Sequence, residues 1–531
     1  MSLLDRLFGR TEPKRQSIYD HIRSHLPPDG PGLIEGGETL PDESDQVGDL
    51  RWAPGALDGV STHHMALGSE DQQVDDVVDL IQRAASASGK DVRELERRLR
   101  DAEALSIVDQ LLQRLAASPP PIRGTEAVGR RLATTSGSRN AVKIGISLLG
   151  IISGPNNRDL FMVLGRHDEF TLFCAVALAN TEADPERAMW ELAQLVDGWG
   201  RIHLVERLKT TTRLEIRDWI LRVGFRNSVM SEYLAYVAAT TGGLVPALEA
   251  SPDDEVLNSG CDILSALIVG GPAEDIDDYE DAPRAMELLL GHLEHRAATL
   301  HQFLAFGDFE RFLGADDERW ATREEQGWSP VLRERLRAMC REIKARPEWR
   351  NLALAGLASD DPGAFYEADR AARSLSIDTL DAHLHRLEAD PLDADWFTVM
   401  EIVDVARVRH VLDLAQRTLP LTDIGRGPSD ELGLGPGFRA HNALGFIVWG
   451  LNRFPGEGWP LIVAALRSPV VNNRNAALSA LDAWDRSLWP ADARAILHEA
   501  ASVEPEEEVR QRMERLTQGD AAPVVTFDDE S

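Results

Sequence analysis

Histidines and carboxylates close together along the chain are the first candidates for chemistry. His292 and His295 lie three residues apart, with Glu287 and Glu294 nearby. On a helix that spacing puts both imidazoles on one face, an arrangement that can hold a metal ion. His301, six residues beyond His295, projects to a different side, and no HExxH pair occurs, so a solvated or packing face is the expected reading. His63 and His64 beside Asp58 form a second cluster, but nothing in the sequence fixes a third or fourth ligand.

The acidic run from Glu274 to Asp281 has the charge of a calcium loop. It lacks the central glycine and the spaced terminal glutamate that such a loop needs, and reads as a solvated acidic loop or a contact for a basic partner. Gly433, Gly435 and Gly437 suggest a phosphate loop, yet helical patterns flank both sides and the last glycine comes too soon for a dinucleotide fingerprint. No G-x-S-x-G occurs, and no cysteine has a neighbouring histidine. The sequence therefore designates no catalytic residue, no metal site and no cofactor.

The elements that must carry these residues are helical. From Val74 onward apolar residues recur at three- and four-residue steps, as in Val77, Val78 and Ile81, or Ile107, Leu111, Leu112 and Leu115, and period-two alternation is never sustained. Five segments share one pattern: a leucine ends an apolar helix, a short polar turn follows, and a second apolar helix begins, often with an arginine. Leu132, Leu164, Leu208 and Leu248 mark four of them at intervals of 32, 44 and 40 residues. The fifth runs from Leu461 through Leu466, Ser468 and Pro469 to Arg474 and the small residues Ala476, Ala477 and Ala480.

These segments resemble HEAT repeats, a family of armadillo-type helical repeats, over roughly residues 120–270 and 440–515. Arg139 and Arg217 fall where Arg474 does, whereas the second and fourth units carry Thr171 and Asn258 in that neighbourhood. The resemblance implies an all-α fold, an α-solenoid of stacked hairpins with an irregular N-terminal arm, in which each hairpin is stable because the next covers its apolar face.

The expected organisation is an N-terminal helix and Gly/Pro-rich arm (1–73), a repeat region (74–280), a degenerate region of longer helices (281–418), a glycine-rich loop (419–438), C-terminal hairpins (439–518) and a disordered acidic tail (519–531). At 531 residues the chain exceeds one ordinary compact core. Its 43% hydrophobic and 27% charged residues are near globular averages.

A net charge of −32 disfavours nucleic acid and anionic membrane surfaces, leaving another protein, basic or neutral, as the expected partner. Three scattered cysteines cannot make a disulfide framework, and no stretch is apolar enough to span a membrane, so the cytoplasm is expected. Plentiful arginine beside scarce lysine suggests a GC-rich bacterial source.

HEAT-like chains commonly act as adaptors or assembly platforms, so the expected function is a protein-binding scaffold. Its candidate surface comprises Arg51, Trp52, Asp58, His63, His64, Asp423, Arg426, Asn472, Asn473 and Arg474, with the 422–437 loop. The alternative for Trp52 is that it pins the arm onto the helices. The alternative function is enzymatic. The Arg51–Gly59 passage and the Pro469–Asn475 turn resemble parts of bacterial limonene (monoterpene) hydroxylases, which implies redox chemistry on a small apolar molecule. No flavin, haem or nicotinamide signature accompanies that likeness.

Overall fold

The computed structural model describes residues 16–43, 53–64, 71–86, 89–100, 102–152 and 157–518. Among them are thirty α-helices, and the nearest approach to a sheet is a single parallel bridge between Glu431 and Val470. The all-α class is therefore shown. Arg51, Trp52, residues 1–15 of the expected N-terminal helix and arm, and the 519–531 tail lie outside the described residues.

The helices form where the three-and-four periodicity buries one stripe: Ile107, Leu111 and Leu115 are each within 2% of complete burial. Short polar side chains set the start of some of them. Asp253 accepts a hydrogen bond from the Val256 amide at 2.9 Å, and Thr299 and Gln302 form a reciprocal capping box.

The chain divides into two compact units, Met1–Arg346 and Pro347–Ser531. In the first, the helices Arg139–Gly150, Asp168–Thr181, Trp199–Arg207, Glu232–Thr240, Asp254–Val269, Leu300–Gly314 and Pro330–Lys344 each pack on the next. The helices Arg158–Leu164 and Pro185–Ala193 both pack on Asp168–Thr181. The N-terminal arm is fastened to this body. Helix Ile18–Ser24 lies on Ile122–Thr135, and Ala56–His64 lies on Trp199–Arg207. Gly55 has a φ of +71°, and a Cβ there would come within 2.7 Å of the Asp168 carbonyl oxygen; at Gly59 a Cβ would meet the Trp199 ring at 2.3 Å. Close approach thus requires both glycines of this passage.

In the second unit, helix Asp395–Ile402 packs on Arg439–Gly450, which packs on Val471–Ala483, which packs on Glu507–Gln518. Trp459–Leu466 backs Val471–Ala483, and Ala493–Val503 backs Glu507–Gln518. Leu444, Ile447, Val448, Leu461, Leu478 and Met513 fill the space between, and the buried Ala476, Ala477 and Ala480 let helices approach closely. Cys174, Cys261 and Cys340 are buried and unpaired. No described helix is long and apolar enough to cross a membrane.

Candidate functional site

An open concavity lies in the second unit, on the face shared by the Asp395–Ile402, Arg439–Gly450 and Val471–Ala483 helices. It is an open groove of about 470 Å³. Its lining combines Phe397, Phe446, Trp449, Leu432 and Val470 with Asn442, Asn472, Asn473 and Asn475.

The groove is built by the turn that precedes Val471. Arg474 is fully buried, and its Nη1 donates to the carbonyls of Ser468 (2.8 Å) and Pro469 (3.0 Å). Its Nη2 donates to Glu504 Oε1 at 2.8 Å, while Nε lies 2.7 Å from Oε2. One guanidinium therefore closes the turn and ties it to the following hairpin, a geometry suited to the planar fork of arginine. Asn473, also buried, donates to the His441 carbonyl at 2.8 Å and so fixes the spacing of the two groove helices. Between them Gly445 is obligatory: a Cβ there would lie 2.6 Å from Asn473 Oδ1.

The glycine-rich loop forms the groove's edge. Gly427 N donates to Arg467 O, Glu431 N to Pro469 O, and Val471 N to Glu431 O, so the loop is laced along the 467–471 turn. That lacing turns Leu432 into the groove. Gly433 follows with φ +79°, where a Cβ would press on Val470 at 2.8 Å.

The face left open to solvent is chemically distinctive. Trp449 is 59% exposed and Phe397 57%, and the Phe397 and Phe446 rings meet edge-on with centroids 5.9 Å apart. Asn442 and Asn472 are exposed and Asn475 half-buried, and their side-chain amides have no hydrogen-bond partner among the described residues. Aromatic surface beside free amides can bind apolar groups and peptide-like hydrogen-bonding groups together. It supplies no nucleophile and no acid–base pair.

The sequence-derived candidates are dispersed. Asn472 and Asn473 line the groove, while Arg474 lies behind it as a fastening rather than a contact. Asp423 and Arg426 pair with each other on the surface at 2.6 Å and do not line it. His63 and His64 fall in the Ala56–His64 helix of the first unit. Phe397, Asn442, Phe446 and Trp449 were not singled out from the sequence.

Asp58 is buried in the first unit and belongs to an ionic knot. Its carboxylate accepts from Lys143 Nζ at 2.6 Å, and Lys143 also lies 2.7 Å from Glu169. Glu169 in turn accepts from the Gly55 amide, while Arg139 pairs with Asp42 and Glu43. Burial works against the lysine's charge, but the two carboxylates raise its pKa above the ordinary value and keep it an ammonium. Every member is committed to holding the arm, so the knot is a fastening.

The other candidates are likewise absorbed. His292 bonds the Leu248 carbonyl, His301 pairs with Asp262, and His295 is exposed. Asp277 of the acidic run pairs with Arg319 and with Arg323, whose guanidinium stacks on Phe312 and Trp320. Among the described residues no group of three or more His, Cys, Asp or Glu is placed to hold a metal ion. No protein-family model matches the chain, and comparison with curated proteins gives no match either.

Proposed function

We propose that the protein is a binding scaffold whose helices are HEAT-like hairpins stacked into solenoid segments, and that the second-unit groove is where a partner protein docks. The stacking is supported by the order of packing, in which each hairpin's second helix lies on the second helix of the next. Arg474, which secures the turn of the best-matching hairpin, adds to that support.

The observation that carries the docking is the exposure of Trp449 and Phe397 side by side with unpaired asparagine amides. Exposed aromatic residues in a concave, partly polar surface are the usual energetic anchors of protein recognition. Three unpaired cysteines fit a reducing compartment, and we place the scaffold in the cytoplasm.

Affinity capture from native extract tests the reading, with wild type compared against Trp449→Ala and Phe397→Ala. A stoichiometric protein partner lost with either variant is expected. Capture that is indifferent to both would reject the groove.

A second reading, an enzyme or carrier for a small apolar molecule, is favoured by the groove's volume, which falls in the range of small-ligand sites. Native mass spectrometry of the purified protein separates the two. A retained small molecule would favour this second reading, and bare chain with a captured protein the first.

A further inference from the structure

The groove's neutral lining has charge at one end. Asp430 and Glu431 immediately precede Leu432, are both exposed, and have no ion-pair partner among the described residues. Other acids around the site are already paired: Asp390 with Arg439, Glu401 with Arg373, Asp423 with Arg426. The Glu431 main chain is bonded to the 469–471 turn on both its N–H and its C=O, so this charge is held at a fixed place beside the lining residue Val470. An uncompensated negative pair at the rim of an apolar site selects against acidic ligands and steers basic ones.

The asparagines define the rest. A carboxamide both donates and accepts, which matches the paired N–H and C=O of an unsatisfied peptide backbone. Asn472 and Asn475 stand one turn apart on one helix and Asn442 on its neighbour, so free amides flank the aromatic surface on two sides. A folded partner surface has few free backbone groups, whereas an extended segment exposes them all.

We infer, building on the docking proposed above, that the groove takes an extended segment of another polypeptide: a large apolar side chain seats against Trp449, Phe446 and Phe397, the asparagines hold its main chain, and a lysine or arginine lies against Asp430 and Glu431. The charge of those two carboxylates decides for this occupant over the chain's own residues 519–531, whose apolar stretch Val524-Val525 to Phe527 is followed by Asp528, Asp529 and Glu530.

The test is selection of a random twelve-residue displayed peptide library on the intact protein, followed by titration of the winning peptides. Enriched sequences should carry one large apolar residue with a Lys or Arg a few positions away. Trp449→Ala should weaken them by about thirtyfold. Asn472→Ala and Asn475→Ala should each cost about tenfold. Joint Asp430→Asn and Glu431→Gln should cost about threefold at low salt and nothing at high salt, because rim charges are screened. All these positions are exposed or half-buried, so the variants are expected to fold, which circular dichroism checks.

Peptides that depend on Trp449 but ignore the carboxylates, or that are acidic like 524–530, would overturn this inference while leaving the groove a protein-docking surface. No Trp449-dependent enrichment would overturn both.

Discussion

Arg474 and Glu504, thirty residues apart, form a water-excluded ion pair with two contacts, Nη2 to Oε1 at 2.8 Å and Nε to Oε2 at 2.7 Å. The pair sits behind the groove and joins two hairpins through the carbonyls of Ser468 and Pro469. Arg474→Ala leaves a buried carboxylate uncompensated and should cost about 3–5 kcal/mol, read by denaturant unfolding. Arg474→Lys keeps the charge but cannot reach both carbonyls and both carboxylate oxygens, so it should also destabilise. A loss below about 1 kcal/mol for the alanine variant would show that the pair does not fasten the turn.

In the first unit the corresponding fastening is Lys143 between Asp58 and Glu169. Lys143→Met strands the buried Asp58 carboxylate and leaves Glu169 with only Arg139, 3.7 Å away, as an ion-pair partner among the described residues, and is expected to cost about 3–5 kcal/mol. Adding Asp58→Asn should return part of that loss, with a coupling energy of about 1–3 kcal/mol. Asp58→Asn alone should make the 53–64 segment cleavable by a limiting dose of protease. Additive effects in the cycle would contradict the knot.

His383, wholly buried, lies 3.0 Å from Asp369 and 3.4 Å from Asp395, and these carboxylates raise its pKa to about 9 against the cost of burial. Arg386 shares the Asp395 Oδ2 oxygen, Tyr366 bonds its Oδ1, and Arg373 pairs with Asp369. A folded-state pKa above the ordinary 6.5 means that the imidazolium's contribution is complete below about pH 6.5 and is lost as pH rises through 9. The contribution is on the order of 3 kcal/mol. Thermal melts of wild type should fall across that window, and His383→Gln should flatten the slope.

Asp168 also loses stability as pH rises, but because the fold disfavours its charged form rather than favouring it. Burial, with Glu38 and Asp197 adding like charge, raises its pKa to about 7. Its ionised form is thus disfavoured in the fold, and the domain loses stability as pH rises from about 4 to 7. Asp168→Asn keeps an acceptor for the Gly200 amide, so it should raise the melting temperature at pH 8 and leave it nearly unchanged at pH 4. An equal shift at both values would mean that ionisation is not the cause.

Helical class was legible because burial of one stripe leaves a period in the sequence, as in Ile107, Leu111 and Leu115. The groove left a fainter trace. Asn442, Phe446 and Trp449 fall at steps of four and three on the face opposite Ala443, Leu444, Ile447 and Val448, an aromatic stripe facing away from an aliphatic one. That signal is present in HNALGFIVWG, but Phe397 and Leu432 come from distant stretches that only folding brings near. From sequence alone Arg474 reads as a contact, because arginine often anchors interfaces. Its burial follows from the turn carbonyls that it closes, and no local spacing encodes these. Nor does any local spacing foretell His383 between two carboxylates, one of them twelve residues away in sequence.

Hydroxyl-radical footprinting of the captured complex tests the docking claim most directly, because it reads the exposed aromatic side chains themselves. Partner binding should slow oxidation of Trp449 and Phe397 at least several-fold while leaving exposed apolar residues elsewhere, such as Leu214 and Val331, at their free rates. A bound partner with Trp449 and Phe397 oxidised as fast as in the free protein would contradict it.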